Sequence, residues 1–120
     1  MIITNLINCD LRNSTTGEKF AVIVGRHEKH GSAKHHTVAV VELALDATSD
    51  EHFHKEREES YLVVSGNGEA RIDGQIYSLK VGDLISAASA QRHQFKNIGS
   101  ESFRYAVITA PCWSPEDSWK

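Results

Sequence analysis

The clearest structural signal in the chain is the stretch Ala70-Arg71-Ile72-Asp73-Gly74-Gln75-Ile76-Tyr77-Ser78-Leu79. Apolar and polar residues alternate on both sides of Asp73-Gly74, a dipeptide that favours the tight two-residue turn of a β-hairpin. The pattern therefore predicts two antiparallel strands that meet at this dipeptide.

The rest of the chain shows the same strand-like periodicity. Further strands are predicted at 20–24, 37–45, 61–65, 84–86, 92–97 and 103–109, with turns rich in Gly and Asn between several of them. No window carries an amphipathic helical stripe bounded by capping residues. Many short strands without intervening helices predict an all-β sandwich or barrel of antiparallel strands.

Length, charge and cysteine content exclude several classes of protein. The chain has 120 residues, which supports one hydrophobic core and predicts a single domain over 1–120. Its formal net charge of −3 argues against a phosphate-binding surface, so we expect no nucleic-acid partner. The apolar runs are too short to cross a bilayer, and the first residues lack the basic region of a signal peptide, so we expect no membrane association. Cys9 and Cys112 form no CxxC motif, and we expect both to be reduced in a cytoplasmic protein.

The residues most indicative of chemistry lie at 52–59. His52 and His54 point to the same side of a strand, because successive side chains alternate between its two faces. If Glu59 faces the same interior from the next strand, two imidazoles and one carboxylate converge as the donor set of a facial triad. Taken singly, these residues have simpler interpretations as a surface histidine pair and a solvated strand end. The charged stretch 55–58 between them is predicted to be an exposed turn.

A fourth candidate ligand comes from a later strand. Alternation places His93 and Phe95 inside, because Arg92 and Lys96 are expected to face solvent. A histidine that faces a barrel interior is well placed to bind a metal, although a hydrogen-bonded core histidine is the simpler alternative.

The same alternation predicts a pocket wall. Tyr61, Phe95 and Tyr105 share the inward side of their strands, and the two tyrosines are placed to orient or protonate a substrate. The alternative is that these aromatic side chains only fill the core. The remaining four histidines lie in a charged loop over 26–36, which is predicted to be solvated.

The spacing of these residues resembles the two motifs of the cupin superfamily. His52-x-His54-x4-Glu59-x6-Gly66 is similar to the first cupin motif, over about 46–66. Gly82-x5-Ala88-x-Ala90-x2-His93-x3-Asn97 is similar to the second motif, over about 82–97. The chain departs from the family pattern at turn-forming positions, where Asp46, Ala88 and Ala90 replace glycine, proline and glycine.

The resemblance implies a fold, a metal and an oligomeric state. The implied fold is the double-stranded β-helix, or jelly-roll barrel, of cupin type. The implied cofactor is one divalent transition metal per chain (Fe, Mn, Ni, Cu or Zn), held by His52, His54, Glu59 and His93. A homodimer is the favoured assembly. The residues at 38–45 are apolar on both faces of their strand, which calls for cover by a second sheet, by the N-terminal segment or by a partner subunit.

The functional expectation is a mononuclear metal-binding cupin that acts on a small molecule. An enzyme of dioxygenase-like or sugar-phosphate-isomerase-like type fits the 3-His-1-Glu centre. The alternative is a non-catalytic cupin that binds or senses a small molecule and holds a structural metal. Fold alone does not decide between them.

Overall fold

The structure, a computed structural model, describes residues 2–14, 18–26, 33–49, 53–54, 57–88, 90–111 and 118–119. Only the backbone is described at 53–54 and 118–119. The described residues form eleven strands: β1 (Arg12–Asn13), β2 (Lys19–Val24), β3 (Thr37–Leu43), β4 (Phe53–His54), β5 (Glu58–Ser65), β6 (Gly68–Ile72), β7 (Gln75–Leu79), β8 (Leu84–Ala87), β9 (His93–Asn97), β10 (Phe103–Ala110) and β11 (Ser118–Trp119). The predicted all-β class is confirmed. The described part of the chain contains no helix with the length and apolarity needed to span a membrane.

The strands form two main antiparallel sheets. The large sheet has the order β1-β2-β3-β10-β5-β8, and the small sheet has the order β7-β6-β9. β4 pairs with β11 in a further ladder. The segment after β3 extends the small sheet, because the Ser49 amide donates to the Phe95 carbonyl (2.8 Å) and the Asn97 amide donates to the Ala47 carbonyl (3.0 Å). β9 is therefore hydrogen-bonded along both edges, which fixes the strand that carries His93.

The hairpin predicted at Asp73-Gly74 is present between β6 and β7. Asp73 and Gly74 have φ values of 48° and 84°, and a type I′ turn requires positive φ at both central residues. The turn also contacts the start of β9, because the Asp73 amide donates to the Arg92 carbonyl and the Arg92 amide donates to Asp73 Oδ1, both at 2.9 Å. The local turn chemistry thus helps to position His93.

The loop that leads into β9 contains a strained residue. Ala90 has a φ of 68°, in the left-handed region that a side chain disfavours by about 1–2 kcal/mol. Side-chain hydrogen bonds hold the loop, since Gln91 Oε1 accepts from the Ala88 amide (2.8 Å) and Gln91 Nε2 donates to Asp73 Oδ2 (3.3 Å). The chain therefore keeps the left-handed geometry at Ala90 without glycine.

Register places the inward side chains of the large sheet in rows. The rows that cross β3, β10 and β5 are Thr37–Thr109–Glu59, Ala39–Val107–Tyr61 and Val41–Tyr105–Val63. The first row is polar, whereas the later rows contribute Tyr61, Val63 and Tyr105 to the buried hydrophobic core. One end of the barrel interior is therefore polar, and this end carries Glu59.

The outer face of the large sheet is covered in part by the N-terminal segment. Arg104 and Glu42 are cross-strand partners, and Arg104 Nη2 lies 3.0 Å from Glu42 Oε1. Arg104 Nη1 donates to the carbonyls of Leu6 (3.0 Å) and Cys9 (3.3 Å). The N-terminal segment is thus one source of the cover that the two-sided apolar pattern of β3 requires. The homodimer stays a prediction.

Candidate functional site

Two of the four predicted metal ligands come together in the barrel interior. Glu59 projects inward from β5 in the large sheet, and His93 begins β9 in the small sheet. Both are buried, with exposed fractions of 6% and 2%. His93 Nε2 lies 3.7 Å from Glu59 Oε2. Residues 34 positions apart in the sequence therefore meet because the two sheets face each other.

The other two predicted ligands are not tested by the structure. His52 lies outside the described residues, and His54 is described only as a backbone position in β4. Within the described residues, no group of three His, Cys, Asp or Glu side chains is placed to hold a metal. The four-ligand centre therefore stays a prediction.

The hydrogen bond at the other ring nitrogen of His93 suits a metal ligand. His93 Nδ1 lies 3.1 Å from the carbonyl oxygen of Gln91. Because a carbonyl can only accept, Nδ1 carries a proton, and Nε2, the ring nitrogen nearer Glu59, is the atom that a metal would bind. Ligand histidines are commonly held in this way through the nitrogen that does not bind the metal.

The separation of the two donor atoms is compatible with one shared ion. Bonds from Zn²⁺ to histidine nitrogen and carboxylate oxygen are about 2.0–2.2 Å, so two donors on one such ion lie no more than about 4.4 Å apart. The observed distance of 3.7 Å between His93 Nε2 and Glu59 Oε2 falls within that limit. The pair fits a metal without rearrangement of the strands that carry it.

Tyr61 belongs to the same cluster. Its hydroxyl donates a hydrogen bond to Glu59 Oε2, and its ring centroid lies 5.3 Å from that of His93. Burial and the neighbouring charge of Glu59 raise the pKa of Tyr61 well above its ordinary value, against a smaller opposing effect of Arg57. Tyr61 therefore keeps its proton and acts as a donor to the Glu59 carboxylate at neutral pH.

A cavity of about 240 Å³ opens beside this cluster. Tyr61, Phe95 and Tyr105, the three residues predicted to form a pocket wall, all line it. The Phe95 ring packs against both tyrosines, with centroid distances of 4.7 Å to Tyr61 and 4.6 Å to Tyr105. The other lining residues are Glu18, Phe20, Val22, Thr37, Ala39, Val41, Ser49, Glu59, Val107 and Thr109. The cavity is mostly apolar, with a carboxylate at Glu18 and another at Glu59.

Two residues of the site were not predicted. Arg57 was assigned to an exposed turn, and this was wrong, because the structure buries it to 2% exposure. Arg57 has the same alternation parity as Glu59 and Tyr61, a signal that was outweighed by its charge and its charged neighbours. Glu18 lines the cavity two residues before Phe20, which again is the inward parity. Glu58 is exposed as expected.

The chain matches the sequence pattern of a known protein family over its central strands. The cupin-domain family model matches residues 39–109, more than half of the chain. The chain belongs to the cupin family. Its predicted fold, the jelly-roll barrel or double-stranded β-helix of cupin type, is confirmed by solved structures that match it over most of its length.

Three relatives illustrate the range of similar proteins. This cupin is 33% identical over 61 residues to the polyketide synthase CurC of Streptomyces cyaneus, covering 51% of this chain and 40% of that protein. It is 30% identical over 67 residues to the uncharacterized protein MJ1618 of Methanocaldococcus jannaschii, covering 56% and 54%. The chain thus spans about half the length of the curated relatives it matches. The polyketide cyclase RemF of Streptomyces resistomycificus matches with a TM-score of 0.81 at 17% identity, over 100% of this chain and 84% of that one.

Proposed function

We propose that this cupin is a metal-dependent enzyme that acts on a small, largely apolar ring compound with oxygen substituents. The observation that carries the proposal is the apolar cavity whose lining includes Glu59, in contact with His93 and Tyr61. An engineered cavity of about 150 Å³ holds benzene, so 240 Å³ has room for a substituted ring.

The metal would be held by His52, His54, Glu59 and His93. The buried Glu59–His93 pair and the proton on His93 Nδ1 support this assignment. Imidazole nitrogens and one carboxylate suit Fe, Mn, Ni, Cu or Zn, and the donor set does not choose among them. Such an ion, when bound, supplies Lewis acidity or, for a redox-active metal, electron transfer.

The chain's own residues bind, orient and exclude water. Tyr61 holds its proton and donates it in a hydrogen bond to Glu59, which orients that carboxylate. Phe95, Tyr61 and Tyr105 form an aromatic wall against which a planar ring packs. Because a ring packed on these walls displaces water from them, interactions between the ligand's oxygen atoms and the polar cluster are stronger than they would be in solvent.

The cavity lining favours an aromatic substrate over a sugar phosphate. Among the described residues that line it, two are glutamates and none is lysine or arginine. Apart from the proposed metal, a phosphate would find no cationic side chain among the described residues that line this cavity, and the carboxylate of Glu18 would repel it. A relative named for polyketide synthesis fits the same chemistry, because polyketides carry oxygen atoms on a largely hydrocarbon skeleton.

Turnover assays on the purified protein test this function. Protein purified without chelators is incubated with catechols, flavonols and, separately, hexose 6-phosphates, while dioxygen uptake and product mass are recorded. We expect turnover of an oxygen-bearing aromatic compound and none of the sugar phosphates. Dioxygen consumption would identify an oxygenation, and turnover without it a rearrangement.

Variants of two adjacent glutamates provide the control. Glu59→Gln should abolish turnover, whereas Glu58→Gln changes an exposed side chain and should leave it unchanged. Tight binding of an aromatic ligand with no turnover would instead support the non-catalytic binding protein. Turnover of the sugar phosphates alone would contradict the proposed substrate class.

A further inference from the structure

The Tyr105 side chain is buried at the cavity wall. It projects inward from the first half of β10, its exposed fraction is 3%, and it lines the cavity. Its ring packs against Phe95 at 4.6 Å and Phe103 at 5.3 Å between centroids. The ring centroid of Tyr61, the tyrosine that is hydrogen-bonded to Glu59, lies 6.2 Å from that of Tyr105. The packed ring leaves the hydroxyl little freedom to move.

The Tyr105 hydroxyl makes no hydrogen bond to any residue that the structure describes, in contrast to that of Tyr61. Buried tyrosine hydroxyls usually have a hydrogen-bond partner, because an unsatisfied polar group away from water is costly. Exposed Tyr77 follows the rule even at the surface, donating to Gln75 Oε1 at 2.8 Å. The Tyr105 hydroxyl is not among the fully enclosed polar atoms without a partner, so its free hydrogen-bonding capacity is open to what occupies the cavity, which is water or a ligand atom.

Glu18 gives this part of the cavity a second polar group. It lines the same cavity from the start of β2. Burial first, and then the charges of Glu18 and Glu59, raise the pKa of Tyr105 well above its ordinary value, so the hydroxyl remains a donor. A carboxylate can only accept. A ligand hydroxyl matches both groups, since its oxygen accepts from Tyr105 and its proton is donated to Glu18.

We propose that Tyr105 and Glu18 form a second polar subsite of the cavity, which binds a free hydroxyl group of the ring compound. The proposal rests on the proposed function and narrows its substrate class to compounds with two oxygen substituents. One oxygen lies at the Glu59–His93 cluster, and the other is an unblocked phenolic or enolic hydroxyl at Tyr105. A methyl ether or a carboxylate at the second position binds less tightly, because the ether has no proton to donate to Glu18 and the carboxylate faces the charge of Glu18.

Binding measurements on metal-loaded protein, which require no turnover, test the subsite. The probes are 2,7-dihydroxynaphthalene, its monomethyl ether 7-methoxy-2-naphthol, and 2-naphthol, each titrated by calorimetry. We expect the diol to bind at least about fivefold more tightly than the other two, because one net hydrogen bond is worth about that factor and the subsite offers two. Tyr105→Phe should reduce the preference for the diol over 2-naphthol, because only the bond to Glu18 remains, and should leave the affinity for 2-naphthol unchanged. Glu18→Gln should weaken diol binding by a smaller factor, because an amide oxygen still accepts.

Tyr77→Phe is the matched control and should bind all three probes like the natural protein, since Tyr77 is exposed and is not one of the residues that line the cavity. Equal affinity of Tyr105→Phe and the natural protein for the diol would overturn the subsite, even if aromatic turnover is observed. Failure of the natural protein to bind any of the three probes would overturn both the subsite and the proposed function. Circular dichroism of each variant verifies that the fold is retained.

Discussion

Replacing Asn97 by alanine tests how the end of β9 is held in place. Asn97 is fully buried, with an exposed fraction of 0%. Its Nδ2 donates to the carbonyls of Leu43 (3.0 Å) and Glu101 (2.8 Å), and its Oδ1 accepts from the Gly99 amide (2.9 Å). One side chain thus joins the end of β3 to the turn between β9 and β10.

The stability that Asn97→Ala is expected to lose follows from these three hydrogen bonds. Each is worth about 1 kcal/mol net, so Asn97→Ala should lower the free energy of unfolding by about 3 kcal/mol. Asn97→Asp keeps the size of the side chain and the bond to the Gly99 amide. However, it directs a carboxylate oxygen at two carbonyl oxygens in a buried site. We therefore expect the aspartate variant to be at least as unstable as the alanine variant.

Urea denaturation followed by circular dichroism measures the effect. With a slope of about 1–3 kcal/mol/M, a loss of 3 kcal/mol lowers the midpoint by about 1–3 M at unchanged slope. Asn8→Ala, at an exposed position, is the control and should stay within about 0.5 kcal/mol of the natural protein. A loss below about 1 kcal/mol for Asn97→Ala would refute the assignment of Asn97 as a structural link.

Three further substitutions have defined outcomes. Ala90→Gly relieves the strain of a left-handed φ, worth about 1–2 kcal/mol, but the glycine raises the entropy of the unfolded chain, which costs about 0.4–1 kcal/mol. Thermal denaturation should therefore show a small net stabilisation. A lower melting temperature would contradict this expectation. Gly68→Ala places a Cβ 2.5 Å from the buried Phe103 ring and should lower the free energy of unfolding, measured in urea, by about 1–3 kcal/mol. Unchanged stability would mean that the ring can move. Arg104→Met removes the bonds that hold the N-terminal segment, so amide exchange at residues 6–9 should accelerate; unchanged exchange would show that other contacts hold it.

The strands were predictable from sequence because a half-buried strand repeats every two residues. Alternation around Asp73-Gly74 located the hairpin, and the same rule placed His93 and Phe95 inside. The pairing of β10 with both β3 and β5 was not predictable from that rule, since local periodicity carries no information about which distant strands are neighbours.

The site was predictable where residue chemistry and alternation agreed. Glu59 and His93 satisfied both, and the structure brings them together. Arg57 was missed because a charged residue among charged neighbours suggests solvent, although its parity pointed inward. Glu18 was missed because it precedes the predicted start of its strand, and only the closed barrel brings it to the cavity that Tyr105 also lines.

Metal content is the measurement that tests the proposed centre most directly. Elemental analysis of protein purified without chelators should find about one divalent transition metal ion per chain, because three imidazoles and a carboxylate complete a mononuclear site. The ion should be lost in His93→Ala and retained in Glu58→Gln, which alters only an exposed carboxylate. Metal-free natural protein that cannot be loaded with any of Fe, Mn, Ni, Cu or Zn would contradict the metal centre, as would a His93→Ala variant that keeps its full complement of metal.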